Sequence, residues 1–133
     1  MARYFGIDEA NEQLRELEPL LEQLRADRDR VAEVQHELSR DRETNGSAEH
    51  AEQVAELERE LREIVHRMQF AVAQIDMWGV TLRDISSGLI DFPALASGRP
   101  IWLCWRLGEG NQIEWWHEAN TGFDARQPLS DLT

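Results

Sequence analysis

Apolar residues recur along the first half of the chain in alternating steps of four and three. The series is Ala10, Leu14, Leu17, Leu21, Leu24, Val31 and Leu38, with Arg28 and Gln35 in the two polar places. This spacing predicts an amphipathic helix from Ile7 to about Thr44. Gly6 stands at the N-cap, and Asp8 and Glu9 occupy the first turn, where carboxylates suit the helix dipole. Pro19 removes a backbone donor inside the pattern and predicts a kink around Leu17–Leu20 rather than a break. After the turn formers Thr44-Asn45-Gly46-Ser47 the same spacing resumes through Val54, Leu57, Leu61, Ile64, Met68, Ala71, Ile75 and Trp78. Gly79 is the expected C′ residue. Two heptad helices joined by a short turn predict an antiparallel coiled-coil hairpin, with Leu24 facing Met68 and Leu17 facing Ile75. The polar interruptions fall near the turn, and the half near the termini is wholly apolar. That open end needs a cover, and the segment after Gly79 is the natural source.

Beyond Gly79 the pattern changes to short β-prone runs. Val80–Arg83 and Gly88–Phe92 read as strands around a Ser86-Ser87-Gly88 turn, Pro93 ends the second, and Ser97–Pro100 turns into the next. Ile101–Leu107 and Ile113–His117 then flank Gly108-Glu109-Gly110-Asn111 as a hairpin. Two registers fit this hairpin. A three-residue loop pairs Arg106 with Glu114, Trp105 with Trp115 and Cys104 with Trp116. It sets Trp102, Cys104 and Trp116 on one face and His117 on the other, and is preferred because it gives Arg106 an opposite charge. A four-residue loop would place Cys104 and His117 on the same face. The fold class expected is α+β in a single domain over 1–133. It comprises a helical hairpin over 7–78 with its turn near 44–47, an antiparallel meander of three or four strands over 79–123, and an irregular tail over 124–133.

Charge narrows the function classes. The 133 residues carry 26 acidic against 14 basic groups, all of the latter arginine, for a formal net charge of −12. Such a surface repels phosphate backbones and anionic lipid, so neither nucleic acid nor membrane is an expected partner. No apolar run approaches a membrane-spanning length and the N-terminus lacks the order of a secretion signal. One cysteine cannot form an internal disulfide, which fits a soluble cytoplasmic protein with a reduced thiol.

Four of the five tryptophans, the cysteine and one of four histidines lie between Pro100 and Phe123. Cys104 and His117 are candidate metal ligands, or a nucleophile and its base with Asp91 as orienter. The preferred register argues against both and leaves Cys104 as a small buried hydrophobe. Asp91, between Ile90 and Phe92, needs a partner if buried; Arg99, Arg106, Arg126 or His117 would serve. Trp102 and Trp116 could stack on a ligand, though large aromatics more often fill cores and interfaces.

Several blocks together carry a family resemblance: Glu9-Ala10-Asn11, Gly88-Leu89-Ile90-Asp91-Phe92-Pro93, Leu103–Glu109, Trp116-His117-Glu118, and Gly122-Phe123 with Arg126. Through them the chain resembles, over nearly its whole length, the bacterial family catalogued as domain of unknown function 2203. That resemblance implies no activity. The function expected is a non-catalytic protein–protein interaction or scaffolding module, without catalytic residues or cofactor. It would pair with a second copy as a homodimer, because the sheet reads as apolar on both faces. The alternative is a small-molecule or metal-binding domain using Asp91, Cys104, Arg106 and His117.

Overall fold

The computed structural model describes residues 3–41 and 47–132. Helix α1 spans Ile7–Asp41 and helix α2 spans Ala48–Met77. Strands β1 (Thr81–Asp84), β2 (Leu89–Ala96), β3 (Arg99–Trp105), β4 (Trp115–Glu118) and β5 (Gln127–Pro128) follow, with 3-10 turns at Phe123–Ala125 and Leu129–Asp131. The architecture is the expected α+β: a helical hairpin, then an antiparallel sheet. Of the turn expected at 44–47, all but Ser47 lies outside the described residues.

The helix ends follow from local sequence. The Gly6 N–H donates to Glu9 Oε1 at 3.1 Å, half of a capping box. Ser47 Oγ accepts from the His50 N–H at 3.1 Å and starts α2. At its far end Gly79 takes φ +81°, donates to the Asp76 carbonyl at 2.9 Å, and lets the Val80 N–H reach the Ile75 carbonyl at 3.2 Å. Those paired bonds form a Schellman motif, which only a left-handed C′ residue allows without strain. Helix α1 continues through Pro19.

The buried stripe of α2 is the one its spacing predicts: Ile64, Ala71 and Ile75 are buried, and Val54, Leu57, Leu61, Met68 and Trp78 half-buried. Helix α1 departs from its prediction halfway along. Arg28 and Gln35 are exposed, and Asp27 and Val34 take their buried places. Near the termini α1 packs against α2 and the sheet together, and Leu14 and Leu21 belong to that shared core. Past the sheet only α2 remains as a partner, and the buried face rotates toward it. Asp27 there accepts from Arg67 of α2 at 2.7 and 3.0 Å, and Arg30 donates twice to Glu60 at 2.8 Å.

The strands lie in the order β1-β2-β3-β4-β5, every neighbouring pair antiparallel. The fifth comes from the tail expected to be irregular, which is also fixed by the Leu129 N–H donating to the Glu114 carbonyl at 2.9 Å. Strand β2 runs on through Pro93 to Ala96, where it was expected to stop. Its β1 neighbour covers only Leu89–Asp91, so Pro93 lies on a stretch with no β1 ladder to serve; its carbonyl instead accepts from the Phe5 N–H at 2.7 Å. A two-residue turn, Ser97 (φ +51°) and Gly98 (φ +81°), joins β2 to β3. Both residues are left-handed, as a type I′ turn requires. One sheet face, with Ile90, Phe92, Ala94, Ile101, Leu103, Trp105 and Trp116, closes over the open end of the helices in a single core with Leu14, Leu17, Leu21, Leu24, Ala71 and Ile75.

The preferred hairpin register is wrong by one residue. Cys104 pairs with Trp115, Leu103 with Trp116, and Trp102 with His117, which is the pairing of the longer-loop alternative. Arg106 and Glu114 fall outside the ladder. The cause lies in the connection, where the backbone carbonyl of Gly110 accepts from Trp105 Nε1 at 3.1 Å and the Ile113 N–H donates to Asn11 Oδ1 of α1 at 2.7 Å. These bonds hold a wide loop where a tight turn was expected. Trp102 and Trp116 therefore occupy opposite faces, and Cys104 and His117 share one.

Candidate functional site

The site forms on the sheet face turned away from the helices, and register alone assembles it. Asp91 on β2 pairs directly with Cys104 on β3, and His117 on β4 pairs with Trp102, next along that face. Asp91, Cys104 and His117 are all buried, and one ligand atom from each lies within 4.8 Å of the others.

Polar partners tie the cluster together unevenly. His117 Nδ1 is 3.0 Å from the Glu118 carbonyl and Nε2 is 3.1 Å from Asp91 Oδ2. A carbonyl only accepts, so Nδ1 is the donor to Glu118, and Nε2 is the ring nitrogen that faces the Asp91 carboxylate. Asp91 Oδ2 also accepts from Arg83 Nε at 2.9 Å. Asp91 Oδ1 is buried without a hydrogen-bond partner among the described residues. Burial, reinforced by the Asp91 carboxylate beside it, pushes the Cys104 thiol up to about 12, with Arg126 opposing. A thiol held protonated in this way is a poor nucleophile.

Arg83 is the member that sequence reasoning missed. Between Leu82 and Asp84 the β1–β2 register shifts, so Arg83 and Asp84 together oppose Leu89. Arg83 reaches Asp91 from this bulged strand, and its guanidinium lies 4.8 Å from the Trp102 ring. Alternation was the available signal, since Leu82 packs toward the core and Thr81 pairs with Asp91, which turns Arg83 to the same face.

Above the cluster opens a cleft of about 450 Å³, lined by Arg83, Leu89, Asp91, Cys104 and the segment Ala119–Phe123. Trp102 Nε1 donates to the Ala119 carbonyl at 3.3 Å, and Thr121 Oγ1 to the Glu118 carbonyl at 3.1 Å, which holds that segment in place.

A family model described as an uncharacterized conserved protein (DUF2203) matches residues 3–129. The chain belongs to the DUF2203 family. No curated protein and no solved structure matches it. Within this DUF2203 chain the candidate residues divide cleanly. Asp91, Cys104 and His117 meet, and Trp102 borders them. Trp116 points into the helical core, where its Nε1 donates to the Pro128 carbonyl at 3.2 Å. Arg106 is half-exposed, lies near Glu109 at 3.9 Å and stacks over Phe123 at 4.9 Å, so it has no place in the cluster. Arg126 and Arg99, offered as partners for Asp91, serve Glu109 at 2.8 Å and Glu118 at 3.0 Å instead. Arg126 is largely buried, clasped between Trp115 and Phe123 at 4.7 and 4.1 Å, and pins the tail to the sheet.

Proposed function

We propose that this chain is a metal-binding domain in which Asp91, Cys104 and His117 hold one divalent transition-metal ion of the zinc kind. What carries the reading is three buried ligand atoms gathered within 4.8 Å, beside a carboxylate oxygen left unused. His117 Nε2 faces Asp91 Oδ2 at 3.1 Å, and Asp91 Oδ1 has no hydrogen-bond partner among the described residues. A cation among them would take up that oxygen and Nε2 together, and the Nδ1–H to Glu118 bond is the kind that orients a ligating imidazole. Thiolate, imidazole and carboxylate together suit zinc and its neighbours, not calcium or magnesium. Zinc bonds of about 2.0–2.3 Å at tetrahedral angles set ligand atoms about 3.3–3.7 Å apart. Small side-chain rotations bring atoms already within 4.8 Å into that range. A bound ion also displaces the thiol proton, so the raised Cys104 ionisation is no obstacle.

Elemental analysis of purified protein and a cobalt(II) titration test this. The expected result is one ion per chain and a thiolate-to-cobalt charge-transfer band, both lost in Cys104→Ser and in His117→Ala. Wild-type protein that takes up no cobalt at equimolar concentration would refute the proposal.

A second reading keeps the interaction module, with the hairpin as a coiled coil that pairs with its own copy in the cytoplasm. The apolar residues exposed along α2 support it: Phe70 at 71%, Met77 at 80%, Val65 at 37% and Val72 at 39%. Sedimentation equilibrium at micromolar concentration decides it, since a monomeric mass excludes self-pairing.

A further inference from the structure

Resting on that metal reading, we infer that the cleft admits a small oxyanion, a carboxylate or phosphate group, as the ion's exogenous ligand, and that Arg83 recognises it. Three protein ligands leave a coordination position open, as in zinc sites that bind substrate or water. The open side is set by burial. His117 is sealed at 1% exposure and does not line the cleft, whereas Asp91 and Cys104 do. An exogenous ligand therefore enters from the side of Arg83 and the Ala119–Phe123 segment.

Arg83 is built to meet an anion there. Its Nε is committed to Asp91 Oδ2, and its terminal amino groups donate to no protein acceptor among the described residues. The guanidinium carbon lies 4.8 Å from the Trp102 ring centroid, and this contact with the Asp91 bond keeps the head group beside the cleft. A planar fork with unspent donors matches the paired oxygens of a carboxylate or phosphate. The rest of the lining, Asn120, Thr121 and Gly122 among it, adds no acidic group to Asp91. Asp91 itself repels an anion until an ion neutralises it, so oxyanion binding depends on the metal. In a chain of net charge −12, a cation fixed at a cleft mouth runs against the general field and acts only locally.

The test uses cobalt(II)-loaded full-length protein, its metal content measured first, titrated separately with acetate and with inorganic phosphate while the visible bands are followed. The expected result is a saturable spectral change in wild type, with the tighter of the two probes identifying the group preferred. Arg83→Gln should keep its cobalt and bind either probe at least tenfold more weakly, with Arg83→Lys between. Should Arg83→Gln lose cobalt through its tie to Asp91, Arg83→Lys carries the comparison, because it keeps the cation but not the fork. Cobalt-loaded wild type that responds to neither probe, or variants that respond as wild type does, would overturn the inference and leave the metal site standing. Absence of cobalt from wild type at the first step overturns the metal reading itself.

Discussion

A single position of register decides what the chemistry-bearing residues can do. Cys104 and His117 are visible in the sequence as a possible ligand pair, and Asp91 as a carboxylate in need of a partner. What the sequence does not show is that Asn11, 102 residues away from Ile113, holds the β3–β4 connection open. Opposite charge at Arg106 and Glu114 favoured the tight loop, but an exposed pair contributes only about 0–1 kcal/mol, less than the roughly 1–3 kcal/mol cost of leaving the partly buried Ile113 N–H without its Asn11 acceptor. Gly88 shows the same dependence on distant residues. It takes φ +65°, and a Cβ there would collide with the Leu107 side chain. Gly88→Ala should cost about 2–4 kcal/mol, combining left-handed strain with overpacking, as read from urea denaturation. Asp27 offers a pH test. Hydrogen bonding from Arg67 holds its carboxyl below the usual range against the opposing effect of burial, with Gln23 assisting. Because the folded-state value is depressed, its contribution is full above the unfolded value of about 4 and is lost as pH falls below it. Wild type should therefore lose melting temperature as pH falls below about 4, and Asp27→Asn should lose less.

At the scale of elements, α2 was legible to the residue, whereas past Leu24 the α1 series held at Val31 and Leu38 but not at Arg28 and Gln35. The difference is one of partners: α2 packs with one face throughout, whereas the face α1 buries depends on where the sheet ends, which periodicity does not encode. Strand existence was likewise readable, but the extension of β2 beyond Pro93, the bulge at Arg83 and the pairing of β5 were not. Each depends on which neighbour a backbone group meets, and side-chain alternation carries no record of it. Two ion pairs, Asp27 with Arg67 and Arg30 with Glu60, bridge the helices close to the predicted register. Sliding one helix by a heptad would bury the Asp27 carboxylate without its cation, so this pair acts as a register lock. Arg67→Ala should cost about 1–3 kcal/mol by stranding that carboxylate. Leu17→Ala, in the fully buried layer, should cost about 2–5 kcal/mol in the same denaturation assay.

For the whole molecule, the sheet has two unlike faces. One is a hydrocarbon core shared with the helices; the other holds a buried polar cluster under a cleft. The expectation of two apolar faces, from which pairing across the sheet was argued, fails because Trp116 turns inward and Arg83 and Arg126 cover Trp102 and Trp115. The three proposed ligands come from three adjacent strands, so an ion held there binds only the assembled sheet. Saturation at about a hundred times the dissociation constant would add about 2.7 kcal/mol to stability. Zinc should raise the melting temperature of wild type, a chelator should reverse the rise, and Cys104→Ser should show neither.

Trp102 lies beneath Arg83 on one side of the cleft and donates its indole N–H to Ala119 on the other. Whatever displaces either wall changes the electrostatic field across that ring. The molecule thus carries its own optical gauge of occupancy, and Trp102→Phe should diminish the emission shift that such ligands cause in the wild type.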